Sequence, residues 1–215
     1  MRSDASGLVV AGRTDTGVHA AGQVVHFDTE KPLSPNSIRL ALNTLLKDDI
    51  RVLDVSEVSS DFSARFSAKA REYVYFFTEK RVPLILRDRV ARIRFVPDTS
   101  DFQKFCQLIT GTHDFICFRK KGANEKSTIR TVYHVSIQKV QKYDLYGEPL
   151  SVFEFRIIAN GFLYRMVRNL LGALFALASS KYSIEDFENF FLGKESIFRY
   201  HAASARGLCL YKVYY

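Results

Sequence analysis

The strongest constraint on the fold is the order in which two hydrophobic periodicities follow one another. Strand-like alternation occurs at residues 21–28, where Val25 and Phe27 alternate with His26 and Asp28, and again at 50–58, 90–96, 128–140, 150–159 and 207–215. The clearest case is 67–78, which contains Tyr73-Val74-Tyr75-Phe76-Phe77. A short apolar run, Leu8-Val9-Val10-Ala11, reads as a further strand. Helical spacing interrupts these runs irregularly. Ile38, Ala41, Leu42, Leu45 and Leu46 follow Ser34-Pro35, a capping hydroxyl with proline at the first helical position, and predict a helix with one buried face. Asp98 caps a second, carrying Phe102, Phe105, Leu108 and Ile109 and ended by Gly111. A long helix is expected from an Asn160 cap to about residue 179, its apolar face following Phe162, Met166, Leu170 and Leu174. Ser183 and Asp186 form a capping-box pattern for a short helix ending at Gly193. Residues 111–127 read as a long polar loop. This order lacks regular βαβ alternation and predicts an α+β fold with a largely antiparallel sheet.

Composition removes whole classes. With 215 residues, 47% of them hydrophobic, the chain can bury a core without disulfide or metal staples and is not disordered. Cys106, Cys117 and Cys209 have neither zinc nor redox spacing, so they read as reduced, mostly buried thiols of a reducing compartment, the cytoplasm. The first residues carry no apolar signal segment. The most apolar stretch, 170–178, is too short to span a bilayer and follows Arg165 and Arg168, so no membrane partner is expected. Five histidines without ligand spacing predict no metal. A formal net charge of +8 suggests a polyanionic partner. A boundary is expected near 63–68, dividing the chain into 1–66 and 67–215.

The most unusual segment is Gly12-Arg13-Thr14-Asp15-Thr16-Gly17-Val18-His19-Ala20. Two glycines bracket Arg, Thr and Asp between strands. Its Gly-x-x-x-x-Gly spacing is followed by Val18 rather than Lys, so it is not a phosphate-cradling P-loop. Two readings of Asp15 stand on spacing alone: an acid serving local turn hydrogen bonds with a nearby Arg, or an acid held rigidly toward a cleft.

Together with Gly22-Gln23-Val24-Val25-His26-Phe27, the turn resembles the signature of the tRNA pseudouridine synthase A family. Further segments agree in the same order: Phe62-Ser63-Ala64-Arg65-Phe66-Ser67-Ala68 leading into Arg71-Glu72-Tyr73-Val74-Tyr75; Gly111-Thr112-His113-Asp114-Phe115 with Phe118-Arg119; Asn160-Gly161-Phe162-Leu163-Tyr164-Arg165-Met166-Val167-Arg168-Asn169; and Ala205-Arg206-Gly207-Leu208. The resemblance covers essentially the whole chain. It implies two similar α+β halves whose sheets join across a central active-site cleft, with helices on one face. The implied activity is isomerisation of uridine to pseudouridine in the tRNA anticodon stem-loop, at positions 38 to 40, without cofactor or metal, by a homodimer.

The same resemblance assigns roles. Asp15 matches the catalytic carboxylate, as attacker of sugar or base or as a proton abstractor. Tyr73 matches the active-site tyrosine, able to stack on uracil and assist the C5 proton. Arg168 matches the arginine that pairs with the acid. Arg13 matches a residue assisting extrusion of the target base. Thr14, His19, Arg65, Arg119 and Arg165 are the further substrate-binding candidates. Residues 164, 165 and 168 are expected on one side of the long helix. Other basic sets are less specific: Arg87, Arg89, Arg92 and Arg94, and Arg119, Lys120 and Lys121 with Lys126 and Arg130, read singly as solvated charges or together as phosphate contacts. Phe115 and Phe118 are expected to pack rather than contact bases.

Members of this family normally begin with a strand and a helix before the Gly-Arg-Thr-Asp turn, and their first strand carries a Tyr-Asp-Gly stretch followed by Gly-Trp-Gln. Here Asp15 comes almost at once and Trp is absent. The comparison implies that roughly forty to fifty residues, one strand plus one helix, are missing from the first half. Such a loss would expose a sheet edge and apolar surface. An alternative function follows: an RNA-binding protein whose catalysis is reduced or lost. A third is a small-molecule enzyme using Asp15 on an unrelated substrate.

Overall fold

The computed structural model describes residues 7–30, 32–96, 98–120, 122–123, 125–179 and 181–215. Lys121, one of the basic residues singled out above, lies outside them. The chain is α+β and divides into two units. One comprises Met1–Ala11 with Val24–Ser67; the other comprises Gly12–Gln23 with Ala68–Tyr215. The Asp15 turn is thus grouped with the later residues rather than with 1–66.

In the first unit, β1 (Val9–Val10) pairs antiparallel with β3 (Val25–His26). Helix α1 (Pro35–Leu45) forms where expected, and the Ser34 side chain accepts from the Ser37 N–H at 3.2 Å. Its apolar face is not buried as expected: no α1 residue is buried, and Leu45 is 82% exposed. Local signals suffice to build the helix, because capping and spacing act within one turn, but they do not supply a covering surface. Residues 50–58 form no strand. Val52 is held instead by an amide: Asn43 Nδ2 donates to its carbonyl and its N–H donates to Asn43 Oδ1, both at 2.8 Å.

In the second unit, a mixed sheet runs in the order β2 (His19–Ala20), β9 (Leu208–Tyr214), β4 (Ala70–Thr78), β8 (Pro149–Ala159), β7 (Ile129–Tyr143), β6 (Gly111–Asp114). A short β5 (Ala91–Arg92) adds parallel to β4. Two expected strands are therefore shorter than their alternation suggested. Residues 21–28 keep only β3, because His19 and Ala20 pair with β9 while Val25 and His26 pair with β1. Residues 90–96 keep only β5. The expected loop 111–127 is structured at its start, as β6 and a 3₁₀ turn at Ile116–Phe118; Phe115 and Phe118 are buried and pack.

Strand alternation gives the sheet two unlike faces. Tyr75 and Phe77 point to helix α3 (Met166–Ala178), their rings 6.2 and 5.1 Å from that of Phe175. Helices α2 (Thr99–Ile109) and α4 (Ile184–Phe191) join α3, and Phe105, Phe118, Phe187, Phe191 and Phe198 form an aromatic core among them. Asp98 caps α2, and Ser183 with Asp186 makes the expected capping box on α4. The other face carries Glu72, Glu154 and Arg156. The Arg156 guanidinium bridges Glu72 and Glu154, and the Tyr214 hydroxyl donates to Glu72 at 2.5 Å. Glu72 is 3% exposed, so this network supplies the polar partners that its buried side chain needs.

Helix α3 does not start at Asn160. Its N-cap is Arg165, in the left-handed region at φ 64°, and Asn160 Oδ1 instead accepts from Thr131 N–H at 3.0 Å beside the β7 bulge. Tyr164 and Arg165 therefore precede the helix rather than lying on it. Gly172 lets α3 approach the 201–203 segment: a Cβ there would lie far inside contact distance of the His201 carbonyl oxygen. The three cysteines are free and half-buried rather than buried. No helix among the described residues is long and apolar enough to cross a membrane.

Candidate active site

The turn that carries Asp15 is held by backbone and side-chain bonds within its own unit. Strand β2 pairs parallel with β9, His19 opposite Cys209 and Ala20 opposite Leu210. Ala21 N–H donates to the Leu210 carbonyl at 2.9 Å, and Gln23 Nε2 to that of Gly12 at 2.7 Å. Val18 N–H closes the turn on the Asp15 carbonyl at 3.0 Å. Gly17, at φ +83°, occupies a backbone region that other residues enter at a cost, and a Cβ there would touch Ala205. These constraints fix where the Asp15 side chain points.

Strand β9 also pairs with β4, Leu210 opposite Tyr73, after a bulge at Glu72/Tyr73. The same strand thus aligns the acid-bearing turn and the tyrosine. Tyr73 is 9% exposed, its ring edge-on to Phe162 at 5.1 Å. A Cβ at Gly12 would lie 3.9 Å from the Tyr73 hydroxyl, which places that hydroxyl beside the Asp15 turn. Burial pushes the Tyr73 phenol up to about 12; Arg71 lowers it in part, and the Asp15 charge raises it. Tyr73 is therefore a neutral hydroxyl near neutral pH. Tyr75, on the same strand face, is fully buried in the core, so of the two only Tyr73 borders the turn.

Arg168, on the first turns of α3, reaches Asp15 from the other side. Its Nη1 donates to Asp15 Oδ2, and its Nε donates to the Ala203 carbonyl at 2.8 Å. Ala203 N–H returns a bond to the Arg168 carbonyl at 2.9 Å. The guanidinium fork is thus fixed at two corners. Arg165 places its Nε 3.4 Å from the same Oδ2. Asp15 and Arg168 are 13% and 15% exposed in their side chains, so their attraction is little screened by water. Both cations engage Oδ2, and Oδ1 takes part in neither contact.

The remaining candidates are placed as follows. Arg13 and Thr14 are exposed on the turn. His19 Nε2 lies 2.5 Å from the Asp88 carbonyl and donates to it, tying the turn to the loop before β5. Arg119 lies 3.9 Å from Glu125. Arg65 belongs to the first unit, exposed, its guanidinium 5.4 Å above the Phe66 ring. Arg87, Arg89, Arg92 and Arg94 are all exposed. Arg130 donates to the Ser127 and Ile129 carbonyls, and burial lowers its pKa.

Sequence reasoning did not single out three contributors. The Ala203 carbonyl orients Arg168, and a backbone group carries no residue-type signal. Asn169 donates from Nδ2 to the Phe118 carbonyl at 2.7 Å in the buried core, joining α3 to the 3₁₀ turn. Its place beside Arg168 in the quoted motif was the available clue. Glu125 accepts from Tyr164 N–H at 3.0 Å, and nothing in its own surroundings marks it. No group of three or more His, Cys, Asp or Glu side chains among the described residues could hold a metal ion.

Comparison with known proteins identifies the family. A sequence model of the tRNA pseudouridine synthase family matches residues 105–215. The chain is 36% identical to the tRNA pseudouridine synthase A of Clostridium kluyveri over 211 residues, 98% of this chain and 83% of that protein. It is 39% identical to that of Geobacillus sp. strain WCH70, over 97% of this chain and 81% of that protein. Against that of Acetivibrio thermocellus it is 34% identical, covering 97% and 82%. At this identity and coverage the chain belongs to the tRNA pseudouridine synthase A family.

Proposed function

We propose that this protein isomerises uridine to pseudouridine in tRNA, in the anticodon stem-loop at positions 38 to 40. The observation that carries the reading is Asp15: a shielded carboxylate anchored through Oδ2 by Arg168 and Arg165, with a neutral tyrosine hydroxyl beside its turn. The reaction breaks the C1′–N1 bond, turns the uracil and joins C5 to C1′; the C5 proton is released and N1 takes one up, so the product is an isomer. No net oxidation occurs. Asp15 acts through Oδ1, as nucleophile or as the charge that stabilises the ribose when C1′–N1 opens. The two arginines hold its Oδ2 and so aim the side chain, so little reorganisation is needed at the moment of reaction. Tyr73 packs against the uracil and, as a neutral hydroxyl, takes part in removal of the C5 proton.

The target base must leave its stack, and Arg13 on the exposed part of the turn suits the vacated space, since a planar guanidinium can stack and donate. Thr14, Arg65, Arg119 and Arg165 supply further RNA contacts, and His19 steadies the turn through Asp88. The enzyme works in the cytoplasm, as a homodimer of two-halved subunits divided near residue 66.

The test is tritium release from tRNA carrying 5-³H-uridine, for wild type and Asp15→Ala. Wild type is expected to release tritium and the variant to fall to background. Turnover that survives Asp15→Ala removes Asp15 from the chemistry. Wild type that binds tRNA without release supports the reading as an RNA-binding protein instead.

A further inference from the structure

The segment just before α3 has a feature the isomerisation does not use. Tyr164 is 44% exposed, yet its backbone is pinned at both ends. Its N–H donates to Glu125 Oε1 and its carbonyl accepts from Lys120 N–H, both at 3.0 Å. The next residue, Arg165, is the only non-glycine residue with positive φ among the described residues. Such a conformation persists only where the surroundings hold it. An exposed aromatic ring on an immobilised backbone loses little freedom when something stacks on it.

Two cations flank that ring. Lys120 Nζ lies 4.9 Å and the Arg165 guanidinium carbon 5.8 Å from its centroid. Arg165 also has an unfinished donor: its Nε is buried without a hydrogen-bond partner among the described residues, although Asp15 Oδ2 is 3.4 Å away. That nitrogen is closed to solvent, but the Arg165 side chain as a whole is 36% exposed and so still offers its charge to an incoming anion. Glu125 also carries negative charge here: one oxygen accepts from Tyr164 N–H, and the other, buried without a hydrogen-bond partner among the described residues, lies 3.9 Å from Arg119, so Lys120, Arg119 and Arg165 together outnumber it.

We propose that Tyr164 is a stacking platform for the nucleotide adjacent to the reacting uridine, with Lys120 and Arg165 taking its phosphate. This rests on the proposed isomerisation and names a substrate subsite for it. The chemistry fits single-stranded RNA: a π-face tolerant of any base, with cations at its edge for the backbone. Arg165 contacts both the ring and Asp15, so a base on Tyr164 has its neighbour next to the carboxylate. The subsite explains how an extruded loop is held once its own stacking is broken.

The test is equilibrium binding of anticodon stem-loop RNA with 2-aminopurine on either side of the target uridine. Fluorescence quenching reports stacking whether or not turnover occurs. Wild type and Tyr164→Phe are expected to quench the probe at one of the two positions. Tyr164→Ala and Tyr164→Leu should lose that quench and bind about 5- to 160-fold more weakly. Tyr164→Leu keeps side-chain bulk, so a loss shared by both, with unchanged urea midpoints, is not a folding defect. KM should rise with kcat at saturation nearly unchanged, and Lys120→Ala should lower the salt slope by about one. Wild-type quench and affinity in Tyr164→Leu overturn the proposal, as does wild-type binding without quench at either neighbour. Tritium release with no Tyr164 effect removes the subsite alone; a Tyr164-dependent quench without release removes the isomerisation alone.

Discussion

Replacing Arg168 by lysine keeps the charge and removes the fork. In the native site the guanidinium spends Nη1 on Asp15 Oδ2 and Nε on the Ala203 carbonyl, with a side chain only 15% exposed. One ammonium nitrogen on a flexible stem cannot occupy both corners. If it follows Asp15, the Ala203 carbonyl loses its partner; if it stays with Ala203, Asp15 keeps only Arg165 at 3.4 Å. Either way one hydrogen bond involving a charged group is lost, about 1.5–3 kcal/mol. The expected loss of stability is about 2 kcal/mol, read as a lower urea midpoint. The kinetic effect is larger in proportion, because a displacement of about 1 Å in a reacting group costs roughly a hundredfold. Initial rates of tritium release across tRNA concentration should show kcat down about 100-fold with KM within about threefold. Arg168→Met removes the charge as well and should lose about 3 kcal/mol and more of the rate. A lysine variant with near-wild-type kcat, or equal kcat in the lysine and methionine variants, refutes the argument that the fork aims Asp15.

Three further outcomes follow from the same geometry. Gly172→Ala should drive α3 away from the His201 carbonyl and so disturb the Ala203 bonds to Arg168, lowering both the thermal midpoint and kcat although residue 172 touches no substrate; unchanged activity would show that this close approach does not support the site. Tyr73 should titrate late: its pKa is raised to about 12, so the stability that burial of the neutral ring confers is fully present below about pH 10 and is lost as pH rises through about 12, seen as a phenolate absorbance component missing from Tyr73→Phe. A Tyr73 signal titrating near 10 would contradict its burial. Arg156→Met should leave Glu72 and Glu154 without their shared cation and cost about 2–3 kcal/mol, discounted for the cation's partial exposure, with kcat almost unchanged because the network lies on the sheet face away from α3; a large kcat loss at full stability would argue for a longer-range role.

What could be read from residues alone was whatever depends on near neighbours in the chain. Capping at Ser34, Asp98 and Ser183 acts within one helical turn, and all three helices start there. The long alternating runs became β4, β7, β8 and β9 because each pairs along most of its length. The motif resemblance named Asp15, Tyr73 and Arg168, and the structure brings these three side chains near one turn. Tertiary structure decided the rest. Residues 50–58 alternate like a strand, but a strand needs a partner and Val52 found an amide instead. Asn160 looked like a cap, yet its side chain was claimed by Thr131 at the strand end, and the helix begins at a left-handed Arg165. The α1 stripe formed without burial, since periodicity specifies a face and not what covers it. Above all, the sequence holds Asp15 and Arg168 as two residues far apart. Only the β2–β9–β4 pairing and the seating of α3 on the 201–203 segment turn them into one anchored carboxylate, because that geometry depends on long-range hydrogen bonds that no local pattern encodes.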